Sequence, residues 1–182
     1  VIYPGVKTSA KLLGIQLVPV QQSNHEMTEN GILYAIQNEK IKGLYVIPDF
    51  HNPTGHIMSL ETRKMIAAIA REKNLLVIED GINHLLEETP LPPIASFAPE
   101  HVVYVASLSK TIAAGLRTAY VHVPEQFHNK LATVLYAMNI SPSPLLATVS
   151  AGLIEEGIAD EIILERKKEL IRRNQIINEV LD

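Results

Sequence analysis

Three short hydrophobic runs in the sequence each lead into a polar side chain that could do chemistry. An amide follows the first run at Asn52, a carboxylate ends the second at Asp80, and an amine follows the third at Lys110. In an α/β sheet the carboxyl ends of the strands converge on one crevice, so residues far apart in sequence can line a single pocket. An amide, a carboxylate and an amine meeting there could hold and activate a pyridinium aldehyde.

Lys110 and Asp80 have the properties that such an aldehyde requires. A lysine amine forms a Schiff base only when it is unprotonated, so it must be desolvated or held near positive charge. Lys110 follows a buried apolar run and lies between serines and Arg117, which suits that need. Asp80 can pair with a pyridinium nitrogen and keep it protonated, which makes the ring an electron sink. The sequence therefore predicts pyridoxal 5'-phosphate (PLP) as cofactor, with Lys110 and Asp80 as catalytic residues.

The other groups of this cofactor also have candidate partners. The hydroxyls of Ser107 and Ser109 and the guanidinium of Arg117 could bind a dianionic phosphate. Asn52 could donate its amide to the phenolic oxygen of the ring. Taken singly, such residues are more often parts of turns, helix caps or solvated loops. Their order at successive strand ends is what favours a cofactor site.

Two histidines, His51 and His56, flank Asn52 in the sequence. They lack the spacing of metal ligands and have no accompanying carboxylate pattern, so we predict no metal site. His51 is a candidate residue of the pocket wall.

Composition and charge narrow the class of protein. The 182 residues are 47% hydrophobic and 20% charged, enough for a sizeable core in one domain or most of one. A net charge of -4 gives no general attraction to nucleic acid or to an anionic membrane. The absence of cysteine excludes disulfides and thiol catalysis and fits a cytoplasmic protein. No apolar stretch approaches the roughly 20 residues of a membrane span, so no membrane partner is predicted.

Hydrophobic periodicity predicts helices that alternate with strands. Ser59 is placed to cap one helix and Asn74 to end it in a left-handed turn. The last strand follows Lys110 after a connector too short for a parallel crossover, so it should run antiparallel to the others. Helices are predicted over residues 6–13, 29–38, 60–73, 126–138, 145–157 and 160–181, strands over 15–20, 43–48, 75–79, 101–107 and 118–123, and loops over 21–26 and 85–99.

The polar motifs together resemble a known family. The string NPTG at Asn52, the aspartate after a β run at Asp80, and SLSK followed by GLR resemble the fold type I PLP-dependent enzymes, in particular class I/II aminotransferases. The resemblance implies a large domain of three αβα layers whose sheet is mostly parallel with one antiparallel strand, in a homodimer with active sites at the subunit interface. It also assigns roles to six residues: Lys110 to the Schiff base, Asp80 to the pyridine nitrogen, Asn52 to the phenolic oxygen, and Ser107, Ser109 and Arg117 to the phosphate.

The sequence differs from the family pattern at one position, and it covers only part of the length of the family's proteins. Asn83 stands where many members have a tyrosine whose hydroxyl contacts the phenolic oxygen. The family's early phosphate-binding loop would precede Val1, and its carboxylate-binding arginine would follow Asp182. We therefore expect residues 1–182 to be the central part of the large PLP-binding domain of a longer protein. The helix over about 160–182 would lead toward a small domain, and the fragment alone would be catalytically incomplete.

Three functions stay open at this point. The first, which the sequence favours, is amino-group transfer between an amino acid and a 2-oxo acid. The second is the effector-sensing domain of a MocR-type regulator, which the stretches YVIPDFHNPTG and SLSKTIAAGLRTAYVHVP also resemble. There PLP senses an amino compound, and DNA is bound only through an upstream GntR-type winged helix. The third is a relic of the fold that binds no cofactor.

Overall fold

The computed structural model describes residues 2–181, and the predicted helix end at Asp182 lies outside them. The helices are α1 (Pro4–Leu12), α2 (Glu29–Asn38), α3 (Leu60–Lys73), α4 (Leu108–Thr111), α5 (His128–Asn139), α6 (Pro144–Glu155) and α7 (Ile158–Leu181). The strands are β1 (Gln22–Ser23), β2 (Glu26–Met27), β3 (Gly43–Val46), β4 (Leu76–Asp80), β5 (Val102–Ser107) and β6 (Ala119–His122). Short 3-10 helices cover His84–Leu86, Ile94–Ser96, Ala114–Leu116 and Glu125–Phe127.

The main sheet has the strand order β3-β4-β5-β6. Strands β3 and β4 are parallel, and Tyr45 lies opposite Ile78. Strand β5 continues alongside β4, where the Val77 N–H donates to the His101 carbonyl at 2.9 Å. The chain is thus α/β with a mostly parallel sheet, as predicted. The described residues contribute four strands to it.

Strand β6 runs antiparallel to β5, which confirms the prediction from the short connector. At one end of β6 the Thr118 carbonyl accepts from the Leu108 N–H at 3.1 Å, just beyond the last residue of β5. At the other end, the His122 ring nitrogen lies 3.2 Å from the Pro99 carbonyl oxygen, before β5 begins. The eleven-residue turn between the strands holds α4 and a 3-10 helix instead of a crossover.

The chain divides into two compact units, each with its own apolar core. Residues 2–81, 91–104 and 122–124 form the first unit, and residues 82–90, 105–121 and 125–181 form the second unit. The core of the first unit includes Ile32, Leu44, Val46, Ile66, Val77, Ile94 and Val102, all at most 5% exposed. A smaller cluster in the second unit joins α4 to α7 through Leu108, Ile112, Leu116 and Ala159.

Helix α3 begins and ends as its sequence predicts. The Ser59 hydroxyl accepts from the Thr62 N–H and so caps the first turn, and Asn74 ends the helix in a left-handed conformation with φ 50°. Ile66 and Ile69 are buried in the core. Burial of side chains of this size contributes about 1.5 to 3 kcal/mol each. The caps therefore set the two ends of α3, and the buried isoleucines set the face that packs against the core.

The predicted strand over residues 15–20 does not form. The segment is irregular, and Ile15 and Leu17 are 55% and 44% exposed. Pro19 has no N–H to offer a ladder, and no strand pairs with this segment in the part of the chain that the structure describes. The prediction was wrong because an apolar run gives a strand only where a neighbour can complete its hydrogen bonds.

A hairpin of β1 and β2 forms where a loop was predicted over residues 21–26. Its two turn residues, Asn24 and His25, have φ values of 51° and 66°. Positive φ at both positions is what a two-residue hairpin turn requires.

A charged side chain, Arg63, lies on the buried face of α3 with 0% exposure. Its Nη2 is 2.6 Å from Oδ1 of Asp49, which is 1% exposed. Its other hydrogen bonds go to backbone carbonyls, at 3.1 Å to Met58 and 3.4 Å to Pro48, Leu91 and Pro92. The cation thus joins α3 to the segment that follows β3 and to the segment before β5.

Glu79, on β4, is a further buried charged residue, and it is 1% exposed. Its carboxylate accepts from the backbone N–H groups of Ile94 and Ala95 at 2.8 and 2.9 Å. Burial raises the pKa of Glu79 despite these hydrogen bonds. The carboxylate therefore fixes the 3-10 turn at Ile94–Ser96 against β4.

No helix among residues 2–181 has both the length and the apolar character needed to cross a membrane.

Replacing Arg63 with methionine should destabilise the protein by about 3 to 5 kcal/mol, because it removes the cation beside a buried carboxylate. The free energy of unfolding, measured by urea denaturation, tests this. Arg71→Met is the matched control. Arg71 lies on the same helix and forms an ion pair with Glu100, and both side chains are about half exposed. Equal losses in the two variants would contradict the role of Arg63.

Candidate cofactor site

The residues predicted from the sequence to bind the cofactor fall in both units. Asn52 and Asp80 belong to the first unit, and Ser107, Ser109, Lys110 and Arg117 belong to the second. Asp80 is the last residue of β4, Ser107 the last of β5, and Asn52 follows β3 in a loop. Asp80 therefore stands at the carboxyl end of a strand, and Asn52 and Lys110 follow the carboxyl ends of two others.

Asn52 lies exposed in a closed loop, residues 48–58, called here the Asn52 loop. The Met58 N–H donates to the Pro48 carbonyl at 2.8 Å and closes the loop at its base. Nearer the tip, the Gly55 N–H donates to the His51 carbonyl at 2.7 Å. Gly55 has φ +70°, a conformation that glycine adopts without steric cost. The NPTG string therefore forms the tip of a loop with a defined base.

Arg63 holds both ends of the Asn52 loop through its contacts with Asp49 and the Met58 carbonyl. Phe50, next to Asp49, has φ 49°. A left-handed conformation of a bulky residue costs of order 1 to 3 kcal/mol and persists where its surroundings determine it. The buried ion pair at the neighbouring residue supplies that constraint.

A second anchor of the Asn52 loop is Glu26 on β2. Its carboxylate accepts from the Ser59 N–H at 2.6 Å, the Ser59 hydroxyl at 2.8 Å and the Thr62 hydroxyl, and lies 3.1 Å from Nε2 of His56. Burial alone would raise the pKa of Glu26, but these hydrogen bonds outweigh it and lower the pKa to about 2. The ionised carboxylate thus ties the hairpin to the end of the loop and to the start of α3.

His51, the candidate pocket-wall residue, is half-buried beside the loop tip. Its Nδ1 lies 2.8 Å from the Thr54 hydroxyl oxygen. Burial lowers the pKa of His51. Among residues 2–181 no three histidine, aspartate or glutamate side chains are grouped to hold a metal ion.

Asp80 is half-buried and receives a hydrogen bond from the hydroxyl of Tyr45, which donates to Oδ2. The next residue, Gly81, packs under the ring of Tyr104 so closely that a Cβ there would lie 2.6 Å from the ring hydroxyl. Any larger residue at position 81 would therefore displace the Tyr104 ring. Burial, followed by the charges of Glu79 and Asp49, raises the pKa of Tyr104 to about 12.

In the second unit, Ser107 caps the start of the short helix α4. Its hydroxyl accepts from the Ser109 N–H at 3.2 Å, and the Thr111 hydroxyl donates to its carbonyl at 3.2 Å. Lys110 lies on this turn with an exposed side chain. The described residues around Lys110 therefore do not bury its side chain, because the turn carries it away from the small core at Leu108.

Arg117 follows the 3-10 helix Ala114–Leu116 and is exposed, with a left-handed backbone at φ 46°. The next residue, Thr118, is held by its hydroxyl bond to the Leu116 carbonyl at 2.9 Å. The buried hydroxyl of Ser150 on α6 lies 3.3 Å from the Thr118 hydroxyl oxygen. Helix α6 thus supports the turn that presents Arg117.

Asn83 is half-buried and precedes the 3-10 helix His84–Leu86. Its carbonyl accepts from the Leu86 N–H at 2.9 Å. The departure from the family's tyrosine therefore falls on a turn of the second unit.

The chemistry of the donor set fits PLP. Lys110 has an exposed amine that could react with an aldehyde, and the carboxylate of Asp80 could pair with a pyridinium nitrogen. Ser107, Ser109 and Arg117 supply hydroxyl and guanidinium donors suited to a phosphate.

Three residues that support these groups were missed in the sequence: Tyr45, Arg63 and Glu26. Arg63 had a usable signal, because an arginine three residues before Ile66 falls on the apolar stripe of α3. Tyr45 and Glu26 had none. The partner of Tyr45 lies 35 positions away in the chain, and the partners of Glu26 lie 30 to 36 positions away.

Comparison with known proteins identifies the family. The whole chain, residues 1–182, matches the family described as aminotransferase class I and II. The chain belongs to this family, and PLP is the cofactor of the family's enzymes.

Two relatives represent two kinds of protein to which the chain is similar. YdeF, an uncharacterized HTH-type transcriptional regulator of Bacillus subtilis, is 50% identical over 97% of the chain, which covers 38% of YdeF. The 2-aminoadipate transaminase of Thermus thermophilus is 27% identical over 93% of the chain, which covers 44% of that enzyme. The chain therefore spans less than half the length of either relative.

Solved structures confirm the fold. LysN, an alpha-aminoadipate aminotransferase from Thermus thermophilus crystallised with N-(5'-phosphopyridoxyl)-L-leucine, superposes with a TM-score of 0.84 at 26% identity, over 94% of this chain and 45% of LysN. The multiple substrate aminotransferase of Thermococcus profundus gives a TM-score of 0.89 at 22% identity, over 99% of this chain and 47% of that one. The fold is that of the fold type I aminotransferases.

Replacing Glu26 with glutamine should flatten the acid dependence of stability. The pKa of Glu26 is lowered from 4.5 to about 2 in the folded protein, so the ionised group stabilises the fold above about pH 4.5 and this contribution is lost as pH falls toward 2. Urea denaturation at a series of pH values should show Glu26→Gln less stable than wild type at neutral pH and the difference shrinking with acid. Glu72→Gln, on the exposed face of α3, controls for the change of charge. A constant difference at every pH would refute this prediction.

Proposed function

We propose that this chain is the PLP-binding, effector-sensing domain of an HTH-type transcriptional regulator. The observation that carries the proposal is the 50% identity to YdeF over 97% of the chain. Two further HTH-type regulators of Bacillus subtilis, YisV and YdfD, are each 32% identical over 71% and 76% of the chain. The sequence alone favoured amino-group transfer, and this similarity reverses the order of the two hypotheses.

Within this proposal each site residue has one task. Lys110 binds the aldehyde carbon, Asp80 pairs with the pyridine nitrogen, and Asn52 donates to the phenolic oxygen. Ser107, Ser109 and Arg117 bind the phosphate. When bound, PLP supplies an aldehyde that captures primary amines and a ring that withdraws electrons from them. An amino compound that displaces Lys110 would be the signal that the domain senses.

The larger organisation is part of the same proposal. Residues 1–182 form the central part of the large PLP-binding domain, and the helix over about 160–182 leads toward a small domain. The coverage of 38% of YdeF and 45% of LysN supports this assignment. The protein would be a cytoplasmic homodimer, and it would contact DNA only through an upstream HTH domain.

Amino-group transfer between an amino acid and a 2-oxo acid is the second candidate function. The similarity to 2-aminoadipate transaminase and to LysN favours it. In this case the amine of Lys110, once displaced by the substrate, would move the proton from the substrate Cα, and Asp80 would keep the pyridine nitrogen protonated.

Lys110 should be the residue to which the cofactor attaches. Borohydride reduces a C=N bond between a protein amine and the cofactor aldehyde to a stable amine, so PLP added to the full-length protein should be trapped. Mass spectrometry of the digested protein should place the added mass on the peptide that contains Lys110. The modification should vanish in Lys110→Ala and persist in Lys168→Ala, which changes an exposed lysine on α7 paired with Glu165. Trapping at other lysines alone would refute the assignment.

The regulator and the enzyme give different results with the full-length protein. A regulator should shift DNA from the region upstream of its own gene in an electrophoretic assay. The fraction of DNA shifted should change when PLP or amino compounds are added. It should form less than one equivalent of 2-oxo acid per protein when incubated with PLP, a panel of amino acids and 2-oxoglutarate. Many turnovers without DNA binding would overturn the regulatory proposal in favour of the transaminase.

A further inference from the structure

The hydrogen bond from Tyr45 to Asp80 has a place in the site that none of the predicted roles includes. Tyr45 lies opposite Ile78 in the parallel pair of β3 and β4. Asp80 is two residues further along β4, and residues two apart on a strand point to the same face of the sheet. The Tyr45 ring therefore reaches along that face toward the strand end, where its hydroxyl donates to Oδ2 of Asp80.

The environment keeps the phenol in the form that donates. Tyr45 is half-buried, and burial together with the hydrogen bond and charge of Asp80 raises the pKa of the phenol. A neutral hydroxyl has one proton to give, and here that proton goes to the carboxylate. The contact holds one oxygen of Asp80 and so restricts the rotation of the carboxylate.

We propose that Tyr45 is a positioning residue for the cofactor, holding the Asp80 carboxylate in the orientation that binds the pyridine nitrogen. This inference rests on the proposed function, because it assigns Tyr45 to the same cofactor site. A carboxylate in water rotates among several orientations, and a hydrogen bond to one oxygen removes that freedom before the cofactor arrives. Tyr45 would therefore act through Asp80 and not touch the cofactor itself.

The hydroxyl of Tyr45 also differs in role from the tyrosine that Asn83 replaces. That family tyrosine would donate to the phenolic oxygen of the ring, whereas the Tyr45 hydroxyl is committed to the carboxylate that faces the ring nitrogen. Tyr45 is therefore not a substitute for the missing tyrosine. Its effect should appear wherever Asp80 is needed and nowhere else.

A double-mutant cycle on the full-length protein tests the proposal. Tyr45→Phe keeps the ring and removes only the hydroxyl, so its melting temperature should stay close to that of wild type. PLP affinity, measured by titration of the visible absorption of the bound cofactor, should fall about tenfold, the scale of one hydrogen bond to a charged group. The pH dependence of that absorption should shift as well, which a purely structural role for Tyr45 would not cause. In the Asp80→Ala background, Tyr45→Phe should change the affinity by less than about twofold.

Controls separate this inference from the proposed function. Tyr34→Phe removes a hydroxyl from an exposed tyrosine of α2 in the same unit and should leave affinity and absorption unchanged. If Tyr45→Phe does not fold, Tyr45→Met, which also lacks the hydroxyl, takes its place in the cycle. Failure of wild type to form a reducible link at Lys110 would refute the proposed function. Two results would overturn only the role of Tyr45, provided that wild type is trapped normally. One is a PLP affinity of Tyr45→Phe within about twofold of that of wild type. The other is an equal loss of PLP affinity from Tyr45→Phe in the wild-type and Asp80→Ala backgrounds.

Discussion

The buried guanidinium of Arg63 is the interaction on which the Asn52 loop depends. A cation with no solvent exposure is tolerated in a core only where its donors find acceptors. Those acceptors are the Asp49 carboxylate and backbone carbonyls at both ends of the loop. The cation is therefore satisfied only when the loop is closed, so that burying α3 and shaping the loop occur together. The left-handed Phe50 is held within this closed arrangement.

The two adjacent carboxylates at the end of β4 show how one strand serves the core and the candidate site. Consecutive strand residues point to opposite faces, and Glu79 is 1% exposed whereas Asp80 is half-buried. Glu79 accepts from two backbone N–H groups and fixes the turn before β5. Asp80 accepts from the Tyr45 hydroxyl at the strand end. Shifting the register of β4 by one residue would exchange these partners, so strand pairing also sets which carboxylate is available to a ligand.

The sequence predicted local structure where the signal was itself local. The cap at Ser59, the left-handed Asn74 and the short connector before β6 each depend on a few neighbouring residues, and each is confirmed. The segment 15–20 failed because strand formation needs a partner that no local pattern can supply. Likewise the motifs identified Asp80, but its contact with Tyr45 depends on strand register, which links positions 35 residues apart. The exposure of Lys110 is a matter of tertiary packing, and an apolar run before it does not determine it.

The regulator and the enzyme would use the same residues to hold the cofactor, so the difference between them must lie in the steps after an amine is captured. Turnover requires that the ring accept electrons readily, which depends on hydrogen bonds at both of its polar edges. In the proposed site, Asp80 would be the partner at the nitrogen edge, and it accepts a hydrogen bond from the Tyr45 hydroxyl. Asn52 would be the partner at the oxygen edge, and Asn83 would not add the phenolic hydroxyl that many members of the family have at that position. Because Tyr45 is committed to Asp80, it cannot make up that loss. A site with a strong partner at the nitrogen and a reduced one at the oxygen would still capture amines while favouring their retention over turnover, and retention is the property that a sensor needs.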